Sequence, residues 1–252
     1  MAFDFAHRKI LLTGATRGIG RALTYQLLDL GATVLAVARD QAALEALQDD
    51  APEQIDILAA DLANPEMPRA VAKWVADAHP DCSALINNAA IMTHTRLTDP
   101  PHDRYTETAQ EVAINLTAPI ALCAALLPTL SRQSQSLIAN VTSGLALAPL
   151  PNAATYCATK AGLRSFTKTL RYQIEDARLP IQVSEVLMTL VDTDLSQGDP
   201  KQKISAEQAA RETLQGLAEG QREVAIDKVR LLRKVQRLSP ALADRIIRGR
   251  AA

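Results

Sequence analysis

The sequence predicts an α/β domain of the doubly wound kind: a parallel sheet of about seven strands with helices on both faces. Three observations predict it. Short apolar runs alternate with amphipathic helical stretches along the chain. Runs such as "KILLTG" (9–14) and "TVLAVA" (33–38) are apolar throughout, as strands covered on both faces must be. The 252 residues, 48% of them apolar, suit one such domain, and no linker or repeat divides them.

The elements follow in order. "KILLTG" is the first strand. "GRALTYQLLDLG" (20–31) places Leu23, Leu27 and Leu30 on one helical face and stops at Gly31. "TVLAVA" is the second strand, "QAALEALQDD" (41–50) a helix and "QIDILAAD" (54–61) the third strand. "MPRAVAKWVADAHP" (67–80) is a helix closed by Pro80, and "SALINNAA" (83–90) the fourth strand. One long helix is expected over 104–130, then a strand "SLIANVTS" (136–143), a second long helix over 153–177 and a strand "IQVSEVLM" (181–188). A helix near 206–219 precedes the last strand, "REVAI" (222–226). Residues 1–252 thus read as one domain with two appendages. The polar segment 189–206 is expected to be a mobile lid over a site. The basic run 228–252 is expected to be a solvated helix, with an oligomer contact or an acidic partner as alternatives.

Composition excludes several classes. The net charge is -1 and no basic stripe is interleaved with aromatics, so nucleic acid is not an expected partner. Cys82, Cys123 and Cys157 show no CxxC spacing and no neighbouring His, which argues against a zinc site or disulfide framework and fits a reducing compartment. The start "MAFDFAHRKILLTG" lacks the apolar run of a signal peptide, and "IALCAALL" (120–127), between Pro119 and Pro128, is too short to span a bilayer. A cytoplasmic protein without a membrane span is the expectation.

"TGATRGIG" (13–20) joins the first strand to the first helix. Gly14, Gly18 and Gly20 let the backbone turn tightly and approach a pyrophosphate at a helix N-terminus, with Thr16, Arg17 and Ile19 in the same turn. The G-x3-G-x-G spacing differs from the usual G-x-G-x-x-G fingerprint, and a tight turn with no ligand is the plain alternative. At the end of the second strand "AVARD" carries Arg39 where an acid would accept a free ribose 2'-hydroxyl. Arg17 and Arg39 suit a 2'-phosphate, so NADPH is expected over NADH. Asp40 reads as the N-cap of the following helix.

"YCATK" (156–160) puts Tyr156 and Lys160 one helical turn apart, on one face. Alone the pattern is common. Together with "TGATRGIG", "NNAA" (87–90), Asn115, Ser143 and Asp61, in that order and on those elements, the chain resembles the short-chain dehydrogenase/reductases over residues 7 to 227, in their compact single-domain branch with a Rossmann-type sheet.

The resemblance implies an NADP(H)-dependent oxidoreductase acting on a small carbonyl or alcohol, with Asn115, Ser143, Tyr156 and Lys160 as its catalytic set. Tyr156 would be the general acid for carbonyl reduction, its pKa lowered by Lys160 and by an oxidised nicotinamide. Ser143 would polarise the substrate oxygen. Lys160 would also hold the nicotinamide ribose, Asp61 would lie near the adenine, Leu62, Asn88 and Ala89 would bind the cofactor, and Val191 and Thr193 would contact the carboxamide. Pro119 removes the i+4 donor for the Asn115 carbonyl, which could then hold the family's relay water. Pairing through the two long helices into a homodimer or homotetramer is implied as well.

Two departures stand out. Ala90 replaces the usual Gly of "NNAA", and Met188–Thr189 replace the usual Pro-Gly after the sixth strand. A largely apolar pocket from Met92, Thr93, Leu145, Met188 and Leu190 is expected, fit for a medium-sized carbonyl compound. His94 and His102 read as polar loop residues, and Cys157 has no assigned role. Lys201 and Lys203 keep a second reading open, a 3-oxoacyl reductase acting on carrier- or CoA-bound thioesters; a non-catalytic NADP-binding regulator is a third. No metal site is expected.

Overall fold

A computed structural model describes residues 2–94, 96–98, 104–193, 195 and 203–249. Seven strands form one sheet in the order β3-β2-β1-β4-β5-β6-β7: β1 (Lys9–Thr13), β2 (Thr33–Ala38), β3 (Ile55–Ala59), β4 (Cys82–Asn87), β5 (Ser136–Ser143), β6 (Ile181–Met188) and β7 (Glu223–Ala225). Every pairing is parallel. The order reverses direction between β1 and β4, and that switch point is where a crevice opens at the strands' carboxyl ends.

Alternate side chains of each strand feed opposite layers. Ile10 and Leu12 join the core under α1 (Gly18–Asp29), α2 (Gln41–Asp49) and α7 (Ala206–Ala218), together with Leu23, Leu44 and Leu214. Leu11 joins the opposite core under α3 (Met67–Ala78), α5 (Ala118–Leu130) and α6 (Ala154–Asp176), with Val71, Leu122 and Leu170. This two-sided burial explains why the strand sequences show no polar alternation. Asp40 caps α2 as expected, its carboxylate accepting from the Ala43 amide at 3.1 Å.

Two expectations are corrected. The helix expected over 104–130 is α4 (Arg104–Val112), a π turn at Ala113–Thr117, and α5. The Ala118 amide donates to the Ala113 carbonyl, five residues back. Pro119 then falls in the first turn of α5, where its missing donor costs least. By length and composition Arg104–Leu130 could cross a membrane, but Leu122, Leu126 and Leu130 are buried in the core.

The basic C-terminal run is not one solvated helix. It folds as α8 (Val229–Leu238) and α9 (Pro240–Arg248), broken at Ser239, whose hydroxyl accepts from the Leu242 amide. Val229, Ala243 and Ile247 are buried, so the pair has a wet and a dry side. Arg230 and Arg233 are used to fasten it: Arg230 pairs with Glu212 of α7 at 2.8 Å and Arg233 with Glu223 of β7 at 2.9 Å. A chain of polar contacts continues inward. Arg164 of α6 sits 3.6 Å from Glu223 and 2.6 Å from the buried Glu185 of β6, and Thr142 of β5 donates to Glu185 at 2.6 Å.

His102 and Lys201 lie outside the described residues, as do 194 and 196–202 of the expected lid.

Candidate active site

A cavity of about 810 Å³ lies at the carboxyl ends of the strands, within the range of small-molecule and cofactor sites. One end is built by the glycine turn between β1 and α1. Gly14 and Gly18 adopt φ of 67° and 51°, open to glycine at little cost. Gly20 lets α1 pack on the turn itself: a Cβ there would lie 1.8 Å from the Gly14 carbonyl oxygen. Asn88 ties the turn to β4, its carboxamide donating to the Thr13 and Gly14 carbonyls at 3.1 and 3.2 Å. The Thr13 hydroxyl accepts from the Asn88 and Ala89 amides in return. Arg17, the N-cap of α1, makes no side-chain cap, and the first turn of the helix holds no acid. Its amides and dipole are therefore available to an anionic phosphate.

Thr16, Ile19, Arg39, Asp61, Leu62, Val191 and Thr193 complete this end of the wall. Arg17 and Arg39 are exposed at the rim. Asp61 folds its own turn, accepting from the Ala63 amide at 3.0 Å. Thr193 packs on Gly18. Every residue the sequence assigned to a cofactor lines this one cavity, so the donor set fits a dinucleotide.

At the other end, α6 delivers Tyr156 and Lys160, and the end of β5 delivers Ser143. Lys160 is 2% exposed; its ammonium donates to the Val141 carbonyl at 2.8 Å and lies 5.7 Å from the Tyr156 ring centre. Burial pushes Lys160 down to about 8, and the Glu111 carboxylate works against that shift. The protein's own groups shift the Tyr156 pKa upward. Burial raises it, because desolvation of a phenolate outweighs the hydrogen bond from Ser143 that lowers it. The ammonium is directed at Val141 and not at the phenol oxygen. A phenol so placed is fully protonated at neutral pH, which suits a proton donor.

Asn115 is wholly buried and does not line the cavity. Its carboxamide clamps the loop after β4, accepting from the Ile91 amide at 2.9 Å and donating to the Ile91 carbonyl at 2.7 Å and to Thr159 at 3.4 Å. Of the expected pocket residues, Met92, Leu145, Met188 and Leu190 line the cavity and Thr93 does not. The Thr93 amide instead donates to Glu111 at 3.1 Å. His94 does reach the cavity. Ala90 needs no left-handed backbone, so the departure from Gly is tolerated. Met188 pairs in register with Ser143, and the missing Pro-Gly turn is replaced by a parallel bridge from Val191 to Ile204. Cys157 turns away to the Leu150 amide. Among the described residues no cluster could hold a metal ion.

Two contributors escaped sequence reasoning. One is the α8–α9 pair, which puts Val229, Leu232 and Ile247 on the cavity wall. Val229 packs on Gly144, next to Ser143, where a Cβ would meet it at 3.0 Å. The other is Glu111, 1% exposed on α4. Burial and Glu107 raise its pKa, while the Thr93 amide and Lys160 hold it down. It acts through Lys160, as the carboxylate opposing discharge of the ammonium. With Glu111→Gln that support goes, and Lys160 loses its proton more readily. The alkaline limb of kcat/KM should therefore move to lower pH in E111Q; an unchanged limb in the pH profile would show that Glu111 is only a tether for Thr93.

Comparison with known proteins agrees with this geometry. The chain is 34% identical over 234 residues, 90% of this chain and 91% of the relative, to the uncharacterized oxidoreductase DltE of Bacillus subtilis (strain 168). Its fold is similar to that of a short chain dehydrogenase from Burkholderia cenocepacia J2315 in complex with NADP (TM-score 0.85, 25% identity, 97% of this chain and 99% of that one). It is also similar in fold to a short chain dehydrogenase/reductase from Burkholderia phymatum in complex with NAD (TM-score 0.82, 21% identity, 94% and 96% covered). The sequence model of the short chain dehydrogenase family matches residues 8–204, and with the glycine turn and the Ser143–Tyr156–Lys160 grouping in one cavity, the chain belongs to that family of nicotinamide-dependent oxidoreductases.

Proposed function

We propose that the protein reduces the carbonyl group of a medium-sized, largely apolar small molecule with NADPH. One observation carries the reading: Ser143, Tyr156 and Lys160 share a single cavity with the glycine turn, and the wall beyond them is apolar, from Met92, Leu145, Met188, Leu190 and Leu232. The cofactor supplies hydride when bound. Ser143 donates to the substrate oxygen, and Tyr156 gives that oxygen its proton. Lys160 holds positive charge near the phenolate left behind and hydrogen-bonds the nicotinamide ribose. Asn115 holds the Ile91 loop in place, and its main-chain carbonyl takes the relay water through which Tyr156 is reprotonated.

The screen that tests this follows NADPH oxidation over aldehydes, ketones, 3-oxoacyl thioesters and quinones. Turnover of a free apolar aldehyde or ketone supports it; turnover confined to thioesters would favour the acyl reductase. Of the two lysines behind that alternative, the described one, Lys203, is paired with Asp192 at 3.4 Å.

Cofactor choice rests on Arg17 and Arg39 at the rim. Charge-assisted bonds to a 2'-phosphate contribute about 1.5–3 kcal/mol each. Arg17→Ser with Arg39→Asp should weaken NADPH by about 100-fold or more and leave NADH within a few-fold. Equal affinities of the unmodified protein for both cofactors, by titration, would remove this part of the proposal.

A further inference from the structure

The two sides of the α8–α9 pair differ sharply. The inner side carries Val229, Leu232 and Ile247 to the cavity. The outer side carries four of the eight large apolar side chains that are exposed among the described residues: Leu231 (66% exposed), Leu238 (88%), Leu242 (45%) and Ile246 (40%). Leu231 and Leu238 are seven residues apart and Leu242 and Ile246 four, so each couple shares one face of its helix.

Cations surround them. Arg230 and Arg233 are spent on Glu212 and Glu223, but Lys234, Arg237, Arg245 and Arg248 are exposed and in no ion pair among the described residues. Residues 228–252 hold eight Lys and Arg against one Asp, while the other 227 residues hold nineteen against twenty-seven Asp and Glu. The near-zero net charge of the chain thus conceals a strongly basic end on an acidic body.

We propose that the outer face of the α8–α9 pair docks on an anionic lipid bilayer. Leucines interleaved with unpaired cations are the pattern of helices that lie in a membrane interface, apolar side chains among the acyl chains and ammonium and guanidinium groups at the headgroups. Their long stems reach the headgroup level while the leucines sink. A second copy of this chain fits less well, because it would set these cations against one another. The acidic body would be repelled from the same surface, which fixes the orientation. Docking sets the apolar wall of the cavity directly behind the lipid-facing helices, an arrangement suited to a carbonyl compound of low water solubility.

The test is flotation of the full chain with phosphatidylcholine vesicles, with and without about one-third phosphatidylglycerol, at low and high salt. With four free cations, binding to the anionic vesicles should exceed binding to the neutral ones by on the order of a hundredfold at low salt, and salt should weaken it. Leu238→Asp with Leu242→Asp should abolish it while melting temperature and NADPH binding stay unchanged, since neither side chain touches the cavity. Three results overturn the proposal. One is no binding to anionic vesicles, and a second is binding that the leucine substitutions leave intact. The third is a concentration-dependent dimer, seen by light scattering, that the same substitutions abolish in a chain that ignores vesicles.

Discussion

Tyr156→Phe is expected to lower kcat by roughly 10²–10⁴-fold, the usual contribution of a positioned general acid. The substitution removes one oxygen and keeps the ring, which is 7% exposed and packs beside Met92, Leu145 and Leu150. Loss of one buried hydroxyl and its bond to Ser143 changes stability by about 1 kcal/mol. Nothing in the glycine turn, in Asn88 or at Thr193 is touched, so NADPH affinity should stay within a few-fold. The informative comparison is Ser143→Ala, which leaves the phenol but removes the donor that orients the substrate oxygen; it too should fall, with Tyr156→Phe no better. A Phe variant that keeps most of its turnover would mean that the proton comes from elsewhere in the cavity, and His94 would be the next residue to replace.

Gly20→Ala should damage the opposite end of the cavity. The added methyl meets the Gly14 carbonyl oxygen at 1.8 Å and the Asn88 amide nitrogen at 2.8 Å. The first of these is backbone and cannot rotate away. Either α1 moves off the turn or the turn opens, and both spoil the cradle for the pyrophosphate. Overpacking of this kind costs about 1–3 kcal/mol, and for a chain of this size about 2–4 °C in Tm per kcal/mol. Cofactor binding should be lost beyond detection. Gly31→Ala supplies the control: its φ of 78° disfavours Ala, yet nothing lies within 4 Å of the new methyl. It should cost about 1 kcal/mol in stability and leave NADPH binding as it was. If Gly20→Ala bound NADPH normally, the close packing of α1 on the turn would have no bearing on the cofactor.

Much of this was legible because the relevant physics is local. A parallel strand buried on both faces must be apolar along its whole length, so "TVLAVA" announces itself. The glycine turn is legible because left-handed φ and close approach select glycine at 14 and 18. The π turn at Ala113–Thr117 was half legible: Pro119 showed that a donor was missing, but not that the helix would absorb the defect with one wider turn upstream. The depth at which Tyr156 is buried was not legible, because sequence spacing gives the distance to Lys160 and nothing of the desolvation that raises the phenol's pKa. Glu111 was invisible, since a lone Glu on a polar helix reads as solvated; only the fold reveals that α4 presses it against the Thr93 amide. The two faces of the C-terminal helices needed the tertiary partners Leu145, Leu150 and Ala148 to be told apart.

The polar chain from Thr142 through Glu185, Arg164 and Glu223 to Arg233 bears on how ligands come and go. Swinging α8 outward would take Arg233 away and leave two carboxylates, Glu185 and Glu223, dividing one guanidinium between them. Burial already raises the Glu185 pKa, and Thr142 and Arg164 work against that shift. Removing a cation from such a row leaves carboxylate charge short of a partner, so α8 is held in place electrostatically. The C-terminal helices then behave as masonry and not as a door.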